Sequence, residues 1–193
     1  MNLVIVDYKA GNVQSVMFAL ERLGIQATLS ADFETIRAAD KVIFPGVGEA
    51  SSAMAQLKAR NLDKLLPTLE QPFFGVCLGM QLLCQHSEEG DTDLLGIIPL
   101  QVNRFETDLK VPHMGWNNLE KLQSPLFQGI EEQDFVYYVH SYYVPLSDYT
   151  IAQTTYAEPF SAALHYKNFY AAQFHPEKSS AAGSQILKNF LAL

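Results

Sequence analysis

The sequence predicts an α/β fold in which a mostly parallel sheet, with helices on both faces, carries an antiparallel β extension. Two observations support this prediction. In the first half of the chain, short continuous apolar strands alternate with amphipathic helices, a pattern typical of parallel sheets that are buried on both faces. In the second half, strand-like segments rich in Tyr, Phe and Val follow one another, which favours antiparallel pairing.

Hydrophobic periodicity places the elements of the first half. A helix is predicted over residues 13–23, because apolar side chains recur there at three- and four-residue spacing before Gly24 ends the pattern. The other predicted helices cover residues 49–60, a short stretch at 62–66 that a proline stops, and a segment from Cys77 to about residue 86. The predicted strands cover residues 3–6, 25–29, 41–44 and 73–76.

The second half is read from its β-branched and aromatic runs. The predicted strands cover residues 102–105, 116–122, 135–144, 151–156, 162–166 and 169–174, with a hairpin turn over 166–169. A closing helix is predicted over residues 179–193, with Ser179 as its cap. Because no repeat, linker or low-complexity segment interrupts this order, the sequence predicts one domain over residues 1–193.

Composition and charge exclude several function classes. The chain has 193 residues, 48% of them hydrophobic, with 13 basic and 21 acidic residues and a net charge of −8. With no basic block, nucleic-acid binding is not expected. No apolar run has the length of a membrane span and the N-terminus reads as a strand, so we expect neither membrane insertion nor a secretory signal. Cys77 and Cys84, seven residues apart on one predicted helix, are too distant for a disulfide, and reduced thiols fit the cytoplasm.

Cys77 is the candidate nucleophile. It lies between a predicted strand and a predicted helix, with Gly75 and Gly79 two residues before and after it. This is a nucleophile-elbow pattern with sulfur in place of serine, in which a tight turn lifts the side chain out of the sheet edge. The N-terminus of the helix would stabilise a thiolate there. The alternative is a buried apolar cysteine, the commoner state of a cytosolic cysteine.

His175 is the best candidate base among five histidines, because it follows a predicted strand directly and precedes the last helix. In the tripeptide His-Pro-Glu, Glu177 can accept a hydrogen bond from one imidazole nitrogen while the other nitrogen faces the thiol. The alternative is that the tripeptide merely begins a helix, where a glutamate is favoured.

The oxyanion of an acyl transfer needs N–H donors, and two segments can supply them. One donor is the backbone N–H of Leu78, directly after the nucleophile. The other is the loop Pro-Gly-Val-Gly at 45–48, whose Val47 and Gly48 follow a parallel strand at the sheet edge where ligands bind. A plain turn is the alternative for this loop.

Three motifs resemble the signatures of class I (triad) glutamine amidotransferases. They are Gly-Val-Cys-Leu-Gly-Met-Gln at 75–81, His-Pro-Glu at 175–177 and Pro-Gly-Val-Gly at 45–48. The resemblance implies a flavodoxin-like fold and hydrolysis of glutamine by Cys77, His175 and Glu177, with ammonia passed to a synthase. It implies no metal and no organic cofactor.

The resemblance also implies a set of substrate-binding residues. Gln81 would face the pocket, and Glu89 would hold the ammonium group of the substrate. The backbone of Ser141 and Tyr142 would hold the carboxylate. Free glutamine carries both charges, so an acceptor and donors are needed in any case. The alternatives are that Glu89 is solvated surface and that the Tyr-rich strand is core.

Two further stretches narrow the resemblance to glutaminase subunits that supply ammonia to a cyclase subunit of histidine biosynthesis, a (β/α)8 barrel. They are Pro-His-Met-Gly-Trp-Asn at 112–117 and the opening with Asp-Tyr at 7–8 and Gly-Asn at 11–12. No nucleotide or phosphate motif of this chain could use ammonia, so we expect a heterodimer with such a cyclase. The expected interface patch is His113, Met114 and Trp116. The alternative is that Trp116 belongs to the core.

One departure and three rival functions remain open on the sequence alone. Lys-Ala stands at 9–10, where the resemblance would have glycine or another small residue first, so the resemblance does not predict the shape of that loop. The nearest rival is a different amidotransferase, such as the component of anthranilate synthase or the stand-alone glutaminase of vitamin B6 synthesis. The others are a thiol peptidase or redox-responsive cysteine protein on the same fold, and a non-catalytic interaction module.

Overall fold

The computed structural model describes residues 1–9 and 12–193, so the predicted motif positions Ala10 and Gly11 lie outside the described residues. The helices are α1 (Val13–Arg22), α2 (Phe33–Arg37), α3 (Ala50–Ala59), α4 (Leu62–Leu65), α5 (Leu78–Leu82) and α6 (Ser180–Ala192). The strands are β1 (Leu3–Val6), β2 (Ala27–Ser30), β3 (Lys41–Gly46), β4 (Phe73–Cys77), β5 (His86–Ser87), β6 (Thr92–Asp93), β7 (Gln101–Arg104), β8 (His113–Asn118), β9 (Phe135–His140), β10 (Tyr142–Tyr143), β11 (Thr150–Tyr156), β12 (Glu158–Tyr166) and β13 (Phe169–Ala172). Short 3-10 turns cover Leu66–Thr68, Pro125–Phe127 and Pro176–Lys178.

The main sheet confirms the predicted architecture. Its strand order is β11-β12-β13-β4-β3-β1-β2. The strands from β13 to β2 pair in parallel, whereas β11, β12 and β13 pair antiparallel. The antiparallel extension is therefore continuous with the parallel part of the sheet. Smaller sheets have the orders β10-β7-β5-β6 and β8-β9.

The main sheet is buried on both faces. Along β1, Val4 and Val6 pack into one hydrophobic cluster, and Leu3 and Ile5 pack into the other, all with at most 1% of their surface exposed. Alternate residues of a strand point to opposite faces, so this partition follows from strand geometry. It explains why the strands of the first half read as continuous apolar runs.

The predicted helix after Cys77 is wrong in its length. It ends at Leu82 rather than near residue 86, because the segment 95–98 donates its backbone N–H groups to the last carbonyl groups of the turn. Leu95 N donates to Leu82 O at 3.0 Å and Ile98 N donates to Leu83 O at 2.8 Å. Cys84 therefore lies beyond the helix, and the argument from two turns of one helix fails, although both cysteines are free.

Other differences affect individual elements. The helix α2, capped by the side chain of Asp32, was not predicted. The predicted strand 135–144 is two strands interrupted at Ser141. Ser179 does not cap α6, because its hydroxyl donates to His175 O at 2.6 Å and accepts from Tyr137 N at 2.9 Å. Within the described residues, no helix has the length and apolar character needed to cross a membrane.

Candidate active site

Cys77 occupies a strained elbow at the end of β4. Its φ of 54° and ψ of −112° lie where L-residues rarely occur. Neighbouring glycines make the turn possible. A Cβ on Gly79 would collide with the carbonyl oxygen of Phe44, and one on Gly46 would collide with Gly79 N. The sequence therefore needs glycine at these positions so that α5 can begin directly against β3.

The predicted site residues converge on one open cavity of about 300 Å³. Its lining includes nine of the residues singled out in the sequence: Val47, Gly48, Cys77, Leu78, Gln81, Glu89, Ser141, Tyr142 and His175. Cys77 is 6% exposed, and its thiol donates to the carbonyl oxygen of Val139 at 3.9 Å. Cys77 is therefore nearly buried, as the alternative expected, but it forms part of a cavity wall.

His175 and Glu177 form a buried pair beside the thiol. Nδ1 of His175 lies 2.7 Å from Oε1 of Glu177, and their side chains are 1% and 2% exposed. Nε2 of His175 is buried and has no hydrogen-bond partner among the described residues. Burial alone would lower the pKa of His175, but the adjacent Cys77 and the hydrogen-bonded carboxylate of Glu177 raise it to about 10. The imidazole thus presents its open nitrogen on the side of the sulfur.

The backbone of His175 is held by the strand β9. Its N–H donates to the carbonyl oxygen of Tyr137 at 2.9 Å, and its carbonyl accepts from Ser179. The tripeptide forms the 3-10 turn Pro176–Lys178 rather than the start of α6. The turn brings Glu177 back against its own histidine.

The register of the sheet places the Pro-Gly-Val-Gly loop against the nucleophile. Gly46 pairs with Cys77 across β3 and β4, so Val47 and Gly48 follow at the cavity. Gly48 has a φ of +100°, which favours glycine. Tyr8 is buried and donates its hydroxyl to Pro45 O at 2.9 Å, which fixes the beginning of the loop.

The second predicted oxyanion donor, Leu78, is the first residue of α5. The helix has only five residues, so its dipole is far smaller than the predicted ten-residue helix would provide. An oxyanion would therefore be stabilised here by individual backbone N–H groups of the first turn of α5 rather than by the dipole of the whole helix.

Gln81 and Glu89 lie on the cavity wall with defined partners. Nε2 of Gln81 donates to Tyr142 O and to Gln173 Oε1, each at 3.0 Å, which leaves its Oε1 for a ligand. The half-buried carboxylate of Glu89 accepts from Ala50 N at 2.8 Å. Burial raises the pKa of Glu89. The hydrogen bond from Ala50 lowers this pKa in part, and the nearby charge of Glu49 raises it further. Glu89 is therefore not simply solvated surface.

The expected interface patch is only partly on the surface. Met114 and Trp116 are 59% and 52% exposed, so the core alternative for Trp116 is wrong. His113 is 4% exposed and its Nδ1 lies 2.9 Å from Nε2 of His140, so its assignment to the exposed patch is wrong. Its Cβ points to the buried face of β8, because alternate residues of a strand face opposite sides.

Sequence reasoning missed three cavity residues and one side chain in contact with the sulfur. Pro112, Val139 and His140 line the cavity. Gln173 is fully buried, and its Nε2 lies 3.8 Å from Cys77 Sγ. A signal was present for Gln173, because the predicted strand over 169–174 places it two residues before His175 and therefore on the same side of the chain. Within residues 1–9 and 12–193, no group of three or more His, Cys, Asp or Glu residues is arranged to hold a metal ion.

Comparison with known proteins identifies the family of this chain. The model of "Glutamine amidotransferase class-I" matches residues 4–193. The chain belongs to the class I glutamine amidotransferase family. It is 57% identical to "Imidazole glycerol phosphate synthase subunit HisH" of Bacteroides thetaiotaomicron, with 100% of both chains covered. It is 48% identical to the protein of the same name from Vibrio cholerae, over 100% of this chain and 98% of the relative.

Solved structures support the fold independently. The crystal structure of a glutamine amidotransferase from Thermotoga maritima superposes with a TM-score of 0.64, over 100% of this chain and 83% of the other, at 16% identity. Another glutamine amidotransferase superposes with a TM-score of 0.77, over 98% of this chain and 97% of the other, at 19% identity. At these identities the likeness concerns the fold alone. It agrees with the mostly parallel sheet and antiparallel extension described above.

Proposed function

We propose that this chain is the glutaminase subunit of an imidazole glycerol phosphate synthase, which hydrolyses glutamine to glutamate and delivers the ammonia to a cyclase subunit. The observation that carries the proposal is the buried His175–Glu177 pair on the cavity that holds Cys77. Full-length relatives at 57% and 48% identity bear the name of that synthase subunit. Within the family, this agreement favours it over the anthranilate and vitamin B6 alternatives.

In the acylation step, His175 acts as the base. Its Nε2 takes the proton of Cys77, a transfer that the raised pKa of the imidazole favours, and the resulting thiolate attacks the carboxamide carbon of glutamine. The N–H groups of Leu78 and of the Val47–Gly48 peptide would stabilise the tetrahedral oxyanion. The imidazolium then returns its proton to the leaving ammonia, and a thioester of glutamate remains on Cys77.

In the second step, the same imidazole takes a proton from water, and the hydroxide attacks the thioester and releases glutamate. Glu177 holds the imidazole through Nδ1, which keeps Nε2 directed at the sulfur and stabilises the imidazolium. The elbow at Cys77 and the pair at His175 thus perform both steps without a metal or an organic cofactor.

The remaining lining residues fit free glutamine as the substrate. The carboxylate of Glu89 would bind the ammonium group, and the backbone of Ser141 and Tyr142 would bind the carboxylate. The interruption of the strand at Ser141 frees this backbone from regular pairing. Gln81 can offer its oxygen to a donor of the substrate, because both of its N–H groups are bound.

A partner surface accompanies the site. Met114 and Trp116 lie exposed on β8, with Tyr137 opposite Trp116 on β9. Such an aromatic and apolar surface is typical of the centre of a protein interface. We infer a heterodimer with a (β/α)8-barrel cyclase, formed by this chain as a single domain over residues 1–193. The free thiols of Cys77 and Cys84 suit the cytoplasm.

Substitution of Cys77 tests the proposal. The chain is mixed with glutamine and a candidate cyclase, and the release of glutamate is compared with that of Cys77→Ala. Loss of glutamate release, with cyclase synthesis from added ammonia retained, is the expected result. The matched control is Cys84→Ala, which removes the other buried thiol and should keep the activity. Glutamate release by Cys77→Ala would overturn the assignment.

A further inference from the structure

A chain of side-chain amides connects the cavity wall to the sulfur of Cys77. Gln81 donates to the carbonyl oxygen of Tyr142 and to Oε1 of Gln173, each at 3.0 Å. Nε2 of Gln173 in turn lies 3.8 Å from Cys77 Sγ. Gln81 is 4% exposed and Gln173 is fully buried, so water does not compete for these bonds. Gln173 thus reaches the reacting atom of the site from inside the protein.

Hydrogen-bond chemistry fixes the orientation of both amides. The carbonyl oxygen of Tyr142 can only accept, so the nitrogen of Gln81 must face it. The second N–H of the same nitrogen then requires an acceptor, and this is the oxygen of Gln173. The nitrogen of Gln173 is left directed at the sulfur. A flipped amide at Gln173 would place two donors against each other and an oxygen against the sulfur.

The far end of the chain is anchored in the same way. The carbonyl oxygen of Tyr142 also accepts from Nδ1 of His140 at 2.8 Å. Nε2 of His140 must then accept, and Nδ1 of His113 donates to it at 2.9 Å. Nε2 of His113 accepts from Asn117 at 3.3 Å. Each group in this series can therefore act only as the donor or only as the acceptor at each contact. The carbonyl group of Tyr142, which orients Gln81, is in this way connected to His113 and Asn117 of β8.

Besides His175, the sulfur of Cys77 has two polar neighbours, and each of them favours a different protonation state of the sulfur. The neutral thiol donates to Val139 O, whereas a thiolate has no proton to give and faces that carbonyl oxygen unfavourably. The N–H of Gln173 can donate to the sulfur in either state and interacts more strongly with the charged one. Gln173 therefore favours the nucleophilic form of Cys77.

We propose that Gln173 is a catalytic residue that donates to Cys77 Sγ and stabilises the thiolate that attacks the substrate. The proposal rests on the proposed function of Cys77 as the nucleophile. It assigns the first residue of the Gln-Phe-His-Pro-Glu segment a role beside His175 and Glu177. Gln81 acquires a second role, because it sets the orientation of Gln173.

The test replaces the donor with an apolar side chain of similar length. Gln173→Met is treated with iodoacetamide over a range of pH, and alkylation at Cys77 and Cys84 is followed separately by peptide mass. The pH midpoint for Cys77 should rise by about one unit, the size expected for losing one hydrogen bond to a charged group. The value of kcat/KM for glutamine should fall about tenfold at neutral pH and recover as the pH is raised.

The matched control is Gln153→Met, which removes another buried glutamine whose amide donates to Glu120 rather than to the sulfur. It should leave the Cys77 midpoint unchanged. If Gln173→Met does not fold, Gln173→Glu retains the shape and the bond from Gln81 while placing oxygen against the sulfur, and it should raise the midpoint further. An unchanged midpoint in the folded variant overturns the proposal. Glutamate release by Cys77→Ala would instead overturn the proposed function.

Discussion

Nδ1 of His175 and Oε1 of Glu177 lie 2.7 Å apart in a pocket that water hardly reaches. Along an extended chain, side chains two residues apart share a side but are anchored roughly 7 Å from each other. Here the 3-10 turn Pro176–Lys178 folds the carboxylate back. The pair is therefore local in sequence and rigid in space, and it fixes which nitrogen of the imidazole remains open.

Glu177→Gln should impair catalysis more than folding. The amide keeps the size of the carboxylate but removes the charge that stabilises the imidazolium. We expect kcat to fall by on the order of a hundredfold or more, as measured by glutamate release. The pH dependence of His175 alkylation should shift to lower pH in the variant, because a cause of its raised pKa is gone. A variant with full activity would show that the carboxylate is not needed.

Acid should destabilise the protein through its buried histidine pair. Burial lowers the pKa of His113 to about 4 and that of His140 to about 3, whereas both titrate near 6.5 when unfolded. The unfolded chain therefore binds more protons, and the free energy of unfolding should fall as the pH drops from 6.5 toward 4. His140→Gln can keep both hydrogen bonds without titrating, so urea unfolding should show a shallower pH slope. An identical slope in both proteins would contradict this explanation.

Gly79→Ala should be the most damaging glycine substitution at the elbow. A Cβ there meets the carbonyl oxygen of Phe44, which is backbone and cannot rotate away. We expect a loss on the order of 3 kcal/mol in the free energy of unfolding. Gly96→Ala is the control, because no atom lies within 4 Å of its Cβ and only its φ of +66° is unfavourable. It should cost about 1 kcal/mol, and an equally small loss for Gly79→Ala would show that the structure relaxes around the added methyl group.

Trp116→Ala should weaken association with the proposed cyclase partner while leaving the fold intact. The side chain is half exposed and packs edge-on against Tyr137, so its removal leaves no buried cavity. Dissociation constants should rise about thirtyfold if Trp116 is a central contact. Phe18→Ala removes an equally exposed aromatic side chain from α1 and serves as the control. Equal affinities for Trp116→Ala and the unaltered chain would place the interface elsewhere.

Lys9→Gly should stabilise the chain. Lys9 has a φ of +61°, in the left-handed region that glycine adopts without strain. This explains why glycine is the residue to expect at this position. The gain should be about 1 kcal/mol by urea unfolding. Lys58→Gly, within the helix α3, should instead lose about 1 kcal/mol.

Most of the architecture was predictable because strand burial leaves a direct mark on the sequence. The runs that form β1, β3 and β4 are apolar on both faces, and the glycines at the ends of β3 and β4 mark the edge to which Cys77 and Val47 belong. What could not be predicted depends on long-range partners. The helix after Cys77 was too long in prediction, because its end is set by carbonyl groups bound to residues 95–98.

The site shows the same division. His175 and Glu177 could be paired from their spacing, since a local turn brings them together. His113 was misplaced, because only the pairing of β8 with β9 reveals that it faces His140 inside the protein. Ser179 was expected to cap a helix, but its hydroxyl instead binds two backbone groups outside α6, those of Tyr137 and His175.

The backbone bond from His175 to Tyr137 has a mechanical consequence. Tyr137 stands opposite Trp116 on the exposed two-stranded ribbon, and its amide and carbonyl groups hold Ser179 and His175. The backbone of His175 is thus bound to the same strand that carries Tyr137 on the proposed partner surface. Only the strand β9 would separate a partner bound at Trp116 from the backbone of His175. A small shift of that strand on binding would therefore move the catalytic base directly.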